Sequence, residues 1–322
     1  MVLIIAEHSN GKLRKSSLEL VQAGRELAES LGGDPVGVVL GENVTEVANE
    51  LARYLPQVKL VDDPALAEVR AQTWTTAVSE LAKTNSSQAV LFSAGRTGLS
   101  VAPRVAIRLN APLLEDVTSL EVEGGKVAAT RLAYLSRVTE RVRARTLPVV
   151  ISVKPNIFGL PSPGAEGSVE QVPVQFDAND QRVKVSEKRK PSGERVALEE
   201  ASVVVSGGRG VGGPEGFENL VEPLAQALGA GIAATRAVVD AGWRPYSEQV
   251  GQTGKTVAPD LYVALGVSGA VQHLSGMNRS KVVVAINKDA DAPIFKAADY
   301  GIVGDVNQLV PELTRAIEEE GS

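Results

Sequence analysis

The stretch Leu261–Asn287 constrains the fold of this chain most, because two apolar runs flank a glycine-rich turn. Its first part, Leu261–Leu265, is apolar without interruption, as in a strand that a parallel sheet buries on both faces. Gly266–Gly269 then break the strand, and Ser268 is a residue type that favours a helix N-cap. The pattern predicts a strand, a tight turn, a short helix over Ala270–Leu274 and a second strand over Lys281–Ile286.

The turn in this stretch lies where a ligand would be expected. Ligands of open α/β sheets bind at the carboxyl ends of the strands, and both the turn and Asn287 follow predicted strands. The free N–H groups and positive dipole end of the short helix would favour an anion or an electron-rich carbonyl. A tight turn that merely closes a βαβ unit explains the same residues, and the stretch alone leaves both interpretations open.

Composition limits the class of protein. A length of 322 residues with 43% hydrophobic residues predicts about two globular domains. Only 4% of residues are aromatic, so aliphatic side chains must fill the cores, which suits parallel α/β sheets. We expect no membrane span, since the sequence has no long apolar run. The absence of cysteine excludes disulfides and thiolate-held metals. Without a targeting peptide, a reducing cytoplasm is the expected location.

Charge is distributed unevenly along the chain. Residues 1–190 hold 23 Lys or Arg against 22 Asp or Glu, whereas residues 191–322 hold 10 against 17. Binding to nucleic acid requires a basic face. The acidic C-terminal half therefore argues against a nucleic acid partner.

The N-terminal half alternates strands and helices as β-α-β-α-β-α-β-α, which predicts a parallel sheet with right-handed crossovers. After Asn110 the pattern changes to closely spaced strands, for which we expect antiparallel pairing. The predicted strands are Val2–Ala6, Pro35–Leu40, Val58–Val61 and Ala89–Phe92, followed by Val117–Val122, Lys126–Tyr134, Arg137–Arg145 and Val149–Val153.

Two segments predict the domain organisation. Pro155–Gly167, rich in Pro, Gly and Ser, predicts a loop, and the charged segment Ser186–Glu200 predicts a linker between domains. We expect an α/β chain with two domains. Residues 1–190 would form a parallel-sheet, nucleotide-binding-like domain with extra antiparallel strands, and residues 191–322 a Rossmann-like domain.

Each half contains a glycine-rich turn between a predicted strand and a helix. Ser93–Gly98 could cradle a phosphate, but we favour a capped helix start there and assign it no ligand. Gly208–Gly213 fit the G-x-G-x-x-G fingerprint of dinucleotide folds. They lie after a strand over Ala201–Ser206 and before a helix over Pro214–Leu228.

The residues beyond the second fingerprint weaken a nicotinamide interpretation. That fold places an acidic residue about 20 positions later, on a ribose hydroxyl. Here the next predicted strand, Gly231–Ala234, leads into Thr235 and Arg236. Because an arginine could bind the 2′-phosphate of NADP, an NADP-dependent oxidoreductase or transhydrogenase-like domain remains the alternative.

The motifs of the C-terminal half resemble one family. LYVALGVSGAVQHLSGM followed by VVVAINKD is similar to the signature of the electron-transfer flavoprotein alpha subunit, a carrier that holds FAD. GGRG, ATRAVVDAG and VGQTGKTVAP stand in the order that this family shows. The similarity covers essentially all of residues 201–305, and the N-terminal half resembles the domain that builds the partner interface.

The resemblance implies which residues contact FAD. Those expected near the flavin ring are Arg209, Thr235, Arg236, Val250, Gly251, Gln252 and Thr253, with the Thr253 hydroxyl bonded to N5. Those expected along the ribityl–phosphate region and the ring are Ser268, Gly269, Ala270, Val271, Gln272 and His273, with His273 near the C2 carbonyl. Asn287 and Asp305 are expected to hold the adenosine end.

Simpler interpretations stay open for several of these residues. Asp305 could cap the final helix, and Gln252 and Thr253 lie between glycines, where ordinary turn residues are common. A lone histidine such as His273 is usually structural. Arg209 is hardest to explain structurally, because a charged side chain amid glycines gains little from packing.

An electron carrier of this kind needs positive charge beside the flavin. Reduction places negative charge around N1 and the C2 carbonyl. A helix N-terminus contributes about 0.3–1 kcal/mol, which is tens of millivolts at about 59 mV per 1.4 kcal/mol for one electron. We therefore expect full charges as well, from Arg209, Arg236 and His273.

The resemblance implies an electron carrier rather than a catalyst with its own substrate, and no nucleophile or acid–base pair stands out. Its expected partner is a beta subunit in a heterodimer, with AMP bound in that partner. The expected donors are dehydrogenases, such as acyl-CoA dehydrogenases of fatty acid oxidation, and the acceptor is a membrane quinone oxidoreductase. A nucleotide-binding regulatory protein without redox function is a third possibility.

Overall fold

A computed structural model describes residues 1–9, 11–134, 138–186, 198 and 201–320. Of residue 320 only the backbone is described. The chain divides into two compact units, Met1–Lys190 and Pro191–Ser322. The predicted linker Ser186–Glu200 lies outside the described residues except for its first residue and Leu198.

The strands of the first unit are β1 Val2–Ala6, β2 His8–Ser9, β3 Lys12–Leu13, β4 Pro35–Gly41, β5 Gln57–Asp62, β6 Ala89–Ser93, β7 Leu113–Glu123, β8 Lys126–Ala133, β9 Val138–Arg143, β10 Val149–Val153 and β11 Ser168–Gln171. Nine of them form one sheet of order β11-β5-β4-β1-β6-β10-β7-β8-β9, and β2 and β3 pair with each other in a small separate sheet. Pairing in the large sheet is parallel from β11 to β7 and antiparallel among β7, β8 and β9. The helices are α1 Lys15–Leu31, α2 Thr45–Ala52, α3 Ala71–Thr84 and α4 Arg96–Leu109.

The central strand β1 shows why this sheet is covered on both faces. All five of its residues are buried. Ile4 belongs to the core formed with α1 and α2, whereas Leu3 and Ile5 belong to the core formed with α3 and α4. Because side chains alternate along a strand, a continuous apolar run requires helices on both sides. This outcome confirms the predicted parallel α/β sheet.

Two features of this sheet differ from the prediction. Val149–Val153 is a strand, but it pairs in parallel with both β6 and β7, so the expected antiparallel pairing is wrong for it. Its five residues are all buried, the pattern of a strand inside a parallel sheet rather than a hairpin arm. Ser168–Gln171 adds an edge strand that the prediction lacked, after the predicted loop Pro155–Gly167.

The second unit is a five-stranded parallel sheet of order β13-β12-β14-β15-β16. Its strands are β12 Val203–Gly207, β13 Gly231–Ala234, β14 Leu261–Leu265, β15 Val282–Asn287 and β16 Tyr300–Val303. Its helices are α5 Pro214–Gly216, α6 Glu222–Ala227, α7 Arg236–Asp240, α8 Val271–Met277 and α9 Val306–Glu320, with a π-helical turn at Phe217–Val221. Counted along the chain, the strand order is 2-1-3-4-5, whereas the Rossmann order is 3-2-1-4-5-6. The Rossmann-like prediction therefore holds for the parallel sheet with helices and not for its topology.

The helix predicted over Pro214–Leu228 forms, but with a π-helical turn in its middle. Pro223 follows that turn and has no N–H to donate to the preceding turn of the helix, which favours the irregularity. The ring of Phe217 packs beneath Gly207, where an added Cβ would lie 2.4 Å from the Phe217 Cζ atom. No helix among residues that the structure describes is long and apolar enough to cross a membrane.

Candidate functional site

A cavity of about 530 Å³ lies at the carboxyl edge of the sheet in the second unit. Its walls come from the residues that follow β12, β13, β14 and β15. The chain leaves β12 toward β13 on one side and continues through β14 on the other, so the cavity is at the topological switch point. Ligands of doubly wound sheets bind at such a point.

Most of the residues predicted to contact a cofactor line this one cavity. They are Arg209, Thr235, Arg236, Val250, Gly251, Gln252, Thr253, Ser268, Ala270, Gln272, His273 and Asn287. The wall does not include Gly269, Val271 or Asp305. Val271 is 47% exposed, and Gly269 is buried against Ile294, whose backbone N would lie 2.2 Å from an added Cβ.

The first glycines of the fingerprint lie where the loop after β12 crosses the loop after β14, beside the cavity. The Gly208 N–H donates to the Leu265 carbonyl at 2.9 Å, and the Gly210 N–H donates to the Gly266 carbonyl at 3.0 Å. Gly266 has φ +60°, and a Cβ there would lie 2.6 Å from the Gly210 carbonyl carbon. These two N–H groups are therefore occupied by protein carbonyls. In this fold the glycines allow two loops to touch, so these two N–H groups do not face a pyrophosphate as they would in the dinucleotide folds whose fingerprint they fit.

The loop Gln249–Thr253 forms a second wall and is fixed to α8. The Gln252 N–H donates to the Gln272 carbonyl at 2.7 Å. The Thr253 hydroxyl accepts a hydrogen bond from Gln249 Nε2 at 3.1 Å. Because that hydroxyl accepts from Gln249, its own hydrogen is free to point into the cavity. The Thr253 hydroxyl therefore has a hydrogen that it can donate to a ligand atom.

Helix α8 starts at the cavity wall, but its cap differs from the prediction. The N-cap residue is Ala270, and no side chain caps the helix, so the predicted N-cap role of Ser268 is wrong. The helix runs over Val271–Met277 rather than Ala270–Leu274. The His273 N–H donates to the Ala270 carbonyl at 2.8 Å, so the N–H groups of Val271 and Gln272 are those of the first turn that are available to a ligand.

His273 is buried in the wall with both ring nitrogens engaged. Nδ1 lies 3.1 Å from the Val250 carbonyl and Nε2 lies 3.0 Å from the Tyr262 hydroxyl. Burial lowers the pKa of His273 to about 4, although the hydrogen bond to Val250 acts in the opposite direction. The imidazole is therefore neutral at pH 7. The prediction that His273 supplies a positive charge to the cofactor is wrong. Burial destabilises the charged imidazole by more than the hydrogen bond to the Val250 carbonyl stabilises it.

The buried neutral His273 predicts a loss of stability in mild acid. The folded protein binds this proton only near pH 4, whereas the unfolded chain binds it near pH 6.5. The contribution of His273 to the free energy of unfolding is therefore present in full above pH 6.5 and disappears as the pH falls to about 4. Between pH 7 and pH 5 the free energy of unfolding should fall by about 2 kcal/mol from this group. Guanidinium titrations at both pH values test this result. His273→Gln should remove that part of the pH dependence, and an equal fall in both proteins would contradict the assignment.

The two arginines of the cavity wall have different surroundings. The Arg209 side chain is exposed, and its guanidinium makes no hydrogen bond or ion pair with any other described residue, whereas its backbone carbonyl accepts from the Gly212 N–H at 3.1 Å. Arg236 begins α7, and its Nε atom lies 3.3 Å from Asp240 Oδ2, with both side chains about two-thirds exposed. Asp240 also lines the cavity. One of the two arginine charges predicted for the cavity is therefore offset by Asp240, which was not among the predicted residues although an i, i+4 spacing of opposite charges is a recognisable signal.

The two residues predicted at the adenosine end are held by protein contacts. Asn287 Nδ2 donates to the Val267 carbonyl at 2.9 Å, and its Oδ1 accepts from the Asp289 N–H at 3.0 Å. Asp305 Oδ1 accepts from the Asn307 N–H at 2.9 Å at the start of α9. The hydrogen bonds from the Asn307 backbone and side chain lower the pKa of Asp305. Asp305 therefore caps the last helix, which is the simpler of the two roles considered for it.

A buried ion-pair network supports the loop that leads into Gln249. The Arg244 guanidinium bonds Glu248 at 2.6 and 2.9 Å and Glu222 at 2.7 Å, and lies 5.3 Å from the centre of the Phe217 ring. The Arg244 and Glu248 side chains are each 11% exposed. The sequence does not indicate this network, because its charged members are separated by up to 26 positions.

Comparison with known proteins covers both units. Residues 2–177 match the electron transfer flavoprotein domain, and residues 197–278 match the electron transfer flavoprotein FAD-binding domain. The electron transfer flavoprotein subunit alpha of Thermoanaerobacterium thermosaccharolyticum is 40% identical over 323 residues, with 99% of this chain and 98% of that protein covered. The proteins of the same name from Bacillus subtilis and Pseudomonas aeruginosa are each 39% identical, covering 99% and 98% of this chain and 97% and 99% of their own lengths.

Proposed function

The chain belongs to the electron transfer flavoprotein family, among its alpha subunits, and from that premise we propose how it works. It takes electrons from dehydrogenases, such as acyl-CoA dehydrogenases of fatty acid oxidation, and passes them to a membrane quinone oxidoreductase. It does so in the cytoplasm as a heterodimer with a beta subunit, which holds AMP.

The proposal is supported by the cavity at the switch point of the second unit. FAD presents carbonyl oxygens and ring nitrogens that accept hydrogen bonds, and a pyrophosphate. The wall offers donors of matching kind from the Arg209 guanidinium, the Thr253 hydroxyl and the first turn of α8. The chemistry of these donors fits FAD, which supplies the electron-accepting ring when bound.

The residues of the wall have separate tasks in this proposal. Arg209 and Arg236 supply the positive charge that favours reduction, and Asp240 moderates the charge of Arg236. Thr253 donates its hydroxyl hydrogen toward the ring, and Gln249 fixes the direction of that hydroxyl. Asn287 joins the turn after β14 to the turn after β15, so that the two walls keep their spacing.

Opposite substitutions of the Arg236–Asp240 pair should shift the flavin potential in opposite directions. Arg236→Ala removes a positive charge and should lower the potential of the first electron, while Asp240→Asn should raise it. Because both side chains are about two-thirds exposed, each interaction is worth about 0.2–1 kcal/mol. That range corresponds to about 10–40 mV at 59 mV per 1.4 kcal/mol. Spectroelectrochemical titration of the purified complex measures both shifts.

The same variants separate the proposal from an NADP-dependent oxidoreductase. If Arg236 clamped a 2′-phosphate, Arg236→Ala would weaken NADP binding in calorimetric titration and leave any flavin unchanged. Arg236→Lys should recover only part of the potential, because an ammonium does not reproduce the planar guanidinium. Equal flavin potentials in the wild type, Arg236→Ala and Asp240→Asn would contradict the role proposed for the Arg236–Asp240 pair.

A further inference from the structure

Tyr262 is a polar side chain of the second unit that none of the site assignments uses. It lies on β14 and is completely buried, and its hydroxyl is 3.0 Å from Nε2 of His273. The two rings are tilted by 60° with centroids 6.2 Å apart. A tyrosine in that position would need only its ring for packing, so the hydroxyl requires a separate explanation.

The direction of the hydrogen bonds follows from the partners. The Val250 carbonyl can only accept, so Nδ1 of His273 carries the hydrogen and donates to it. In a neutral imidazole the other nitrogen is then an acceptor. The Tyr262 hydroxyl must therefore donate to Nε2. Burial raises the pKa of the Tyr262 hydroxyl, so this donor keeps its hydrogen.

We infer that Tyr262 is a positioning residue that acts on the flavin site through His273. By donating to Nε2, its hydroxyl fixes the orientation of the imidazole, with Nδ1–H directed at the Val250 carbonyl. This hydrogen-bonded chain connects the centre of the sheet to the loop Gln249–Thr253. The inference rests on the proposed function, since it assigns a role in the flavin site.

The connection has two consequences for the cavity. Val250 also donates its N–H to the Ala234 carbonyl at 3.0 Å, so the loop that carries Thr253 is held from both β13 and His273. In addition, an uncharged His273 leaves Arg209 and Arg236 as the positively charged side chains of the wall among the described residues. Tyr262 therefore influences the loop beside the cavity through His273, although it is not part of the cavity wall.

A double-mutant cycle tests whether Tyr262 acts through His273. Tyr262→Phe keeps the ring and removes only the hydroxyl. Without that hydroxyl the imidazole and the Val250 carbonyl that it holds lose their fixed position, so the flavin potential of the first electron should shift. In a His273→Gln background the same substitution should have no effect on the potential, because the imidazole that links Tyr262 to the loop is gone. All four proteins are measured as the FAD-loaded complex with the beta subunit, and residues that act through each other give such non-additive effects.

Ring-¹⁵N histidine spectra of the same complexes provide a second readout. The His273 signal is the one lost in His273→Gln. The wild type should show a neutral Nδ1–H tautomer at pH 7, and Tyr262→Phe should move the Nε2 resonance toward that of an unbonded nitrogen. A charged or Nε2–H imidazole in the wild type would overturn the inference without any variant. An equal potential shift in both backgrounds would also overturn it, since Tyr262 would then act by packing alone.

Failure of the proposed function has a different signature. A wild-type complex without flavin absorption would contradict FAD binding, whereas the tautomer of His273 would still be readable from the histidine spectrum. An Nδ1–H tautomer in a flavin-free protein would support the hydrogen-bond geometry and remove its role at a flavin. A flavin-loaded protein with another tautomer would leave the function intact and contradict the inference.

Discussion

Gly266→Ala should destabilise the second unit strongly and abolish its cofactor site. At φ +60° an alanine costs about 1–2 kcal/mol. The added Cβ would also lie 2.6 Å from the Gly210 backbone, and such overpacking costs about 1–3 kcal/mol. The expected loss is thus about 2–5 kcal/mol. Since the crossing of the two loops borders the cavity, FAD occupancy should fall with stability.

Gly242→Ala is the matched control for this prediction. Gly242 also has a positive φ, +75°, but an added Cβ would meet no atom within 4 Å. It should therefore cost only about 1–2 kcal/mol. Trp74 and Trp243 are the two tryptophans of the sequence, so in a Trp74→Phe background the fluorescence of Trp243 follows the unfolding of the second unit. If Gly242→Ala and Gly266→Ala lower the free energy of unfolding equally, the close contact between the two loops contributes nothing to the stability of the second unit.

Arg244→Met should cost the second unit about 3–5 kcal/mol, because it removes the cation of the buried ion pair between Arg244 and Glu248. Arg244 bonds Glu248 with two nitrogens and Glu222 with a third, and its Cζ atom lies 5.3 Å from the centre of the Phe217 ring. The substitution should also loosen the loop from Gln249 onward and so reduce FAD retention. The same Trp243 fluorescence, recorded against guanidinium concentration, measures the change.

Two substitutions control the Arg244 prediction. Arg315→Ala breaks a pair with Glu312 in which both side chains are more than 60% exposed, so it should cost no more than about 1 kcal/mol. Arg244→Lys should retain part of the stability, because it keeps the charge but cannot make the forked contact with Glu248. A cost for Arg244→Met no larger than that of Arg315→Ala would contradict a buried network.

The sequence predicts the location of the site better than its contacts. The strands β12 to β15 can be recognised because their apolar runs are short, uninterrupted and bounded by glycine or polar residues. The turns after Gly207, Ala234 and Leu265 then converge, since the carboxyl ends of parallel strands share one edge. These features require no knowledge of side-chain geometry, and this is why the walls of one cavity could be anticipated.

The details that escaped prediction depend on distances between residues far apart in the chain. The pairing direction of β10 depends on its insertion between β6 and β7, which the local pattern of Val149–Val153 does not specify. The charge of His273 depends on burial and on two partners from other elements. The 2-1-3-4-5 order likewise depends on which neighbour each strand selects, and a glycine fingerprint does not determine it.

Whether this chain holds FAD is decided by its visible absorption spectrum, recorded after purification with the co-expressed beta subunit. We expect a yellow complex with flavin bands, release of FAD on denaturation, and lower FAD content when the chain is expressed alone. The same complex carrying Gly266→Ala should lose most of the absorption, which assigns the cofactor to the cavity of the second unit. A colourless wild-type complex that binds NADP tightly in calorimetric titration, and takes up no FAD, would contradict the account.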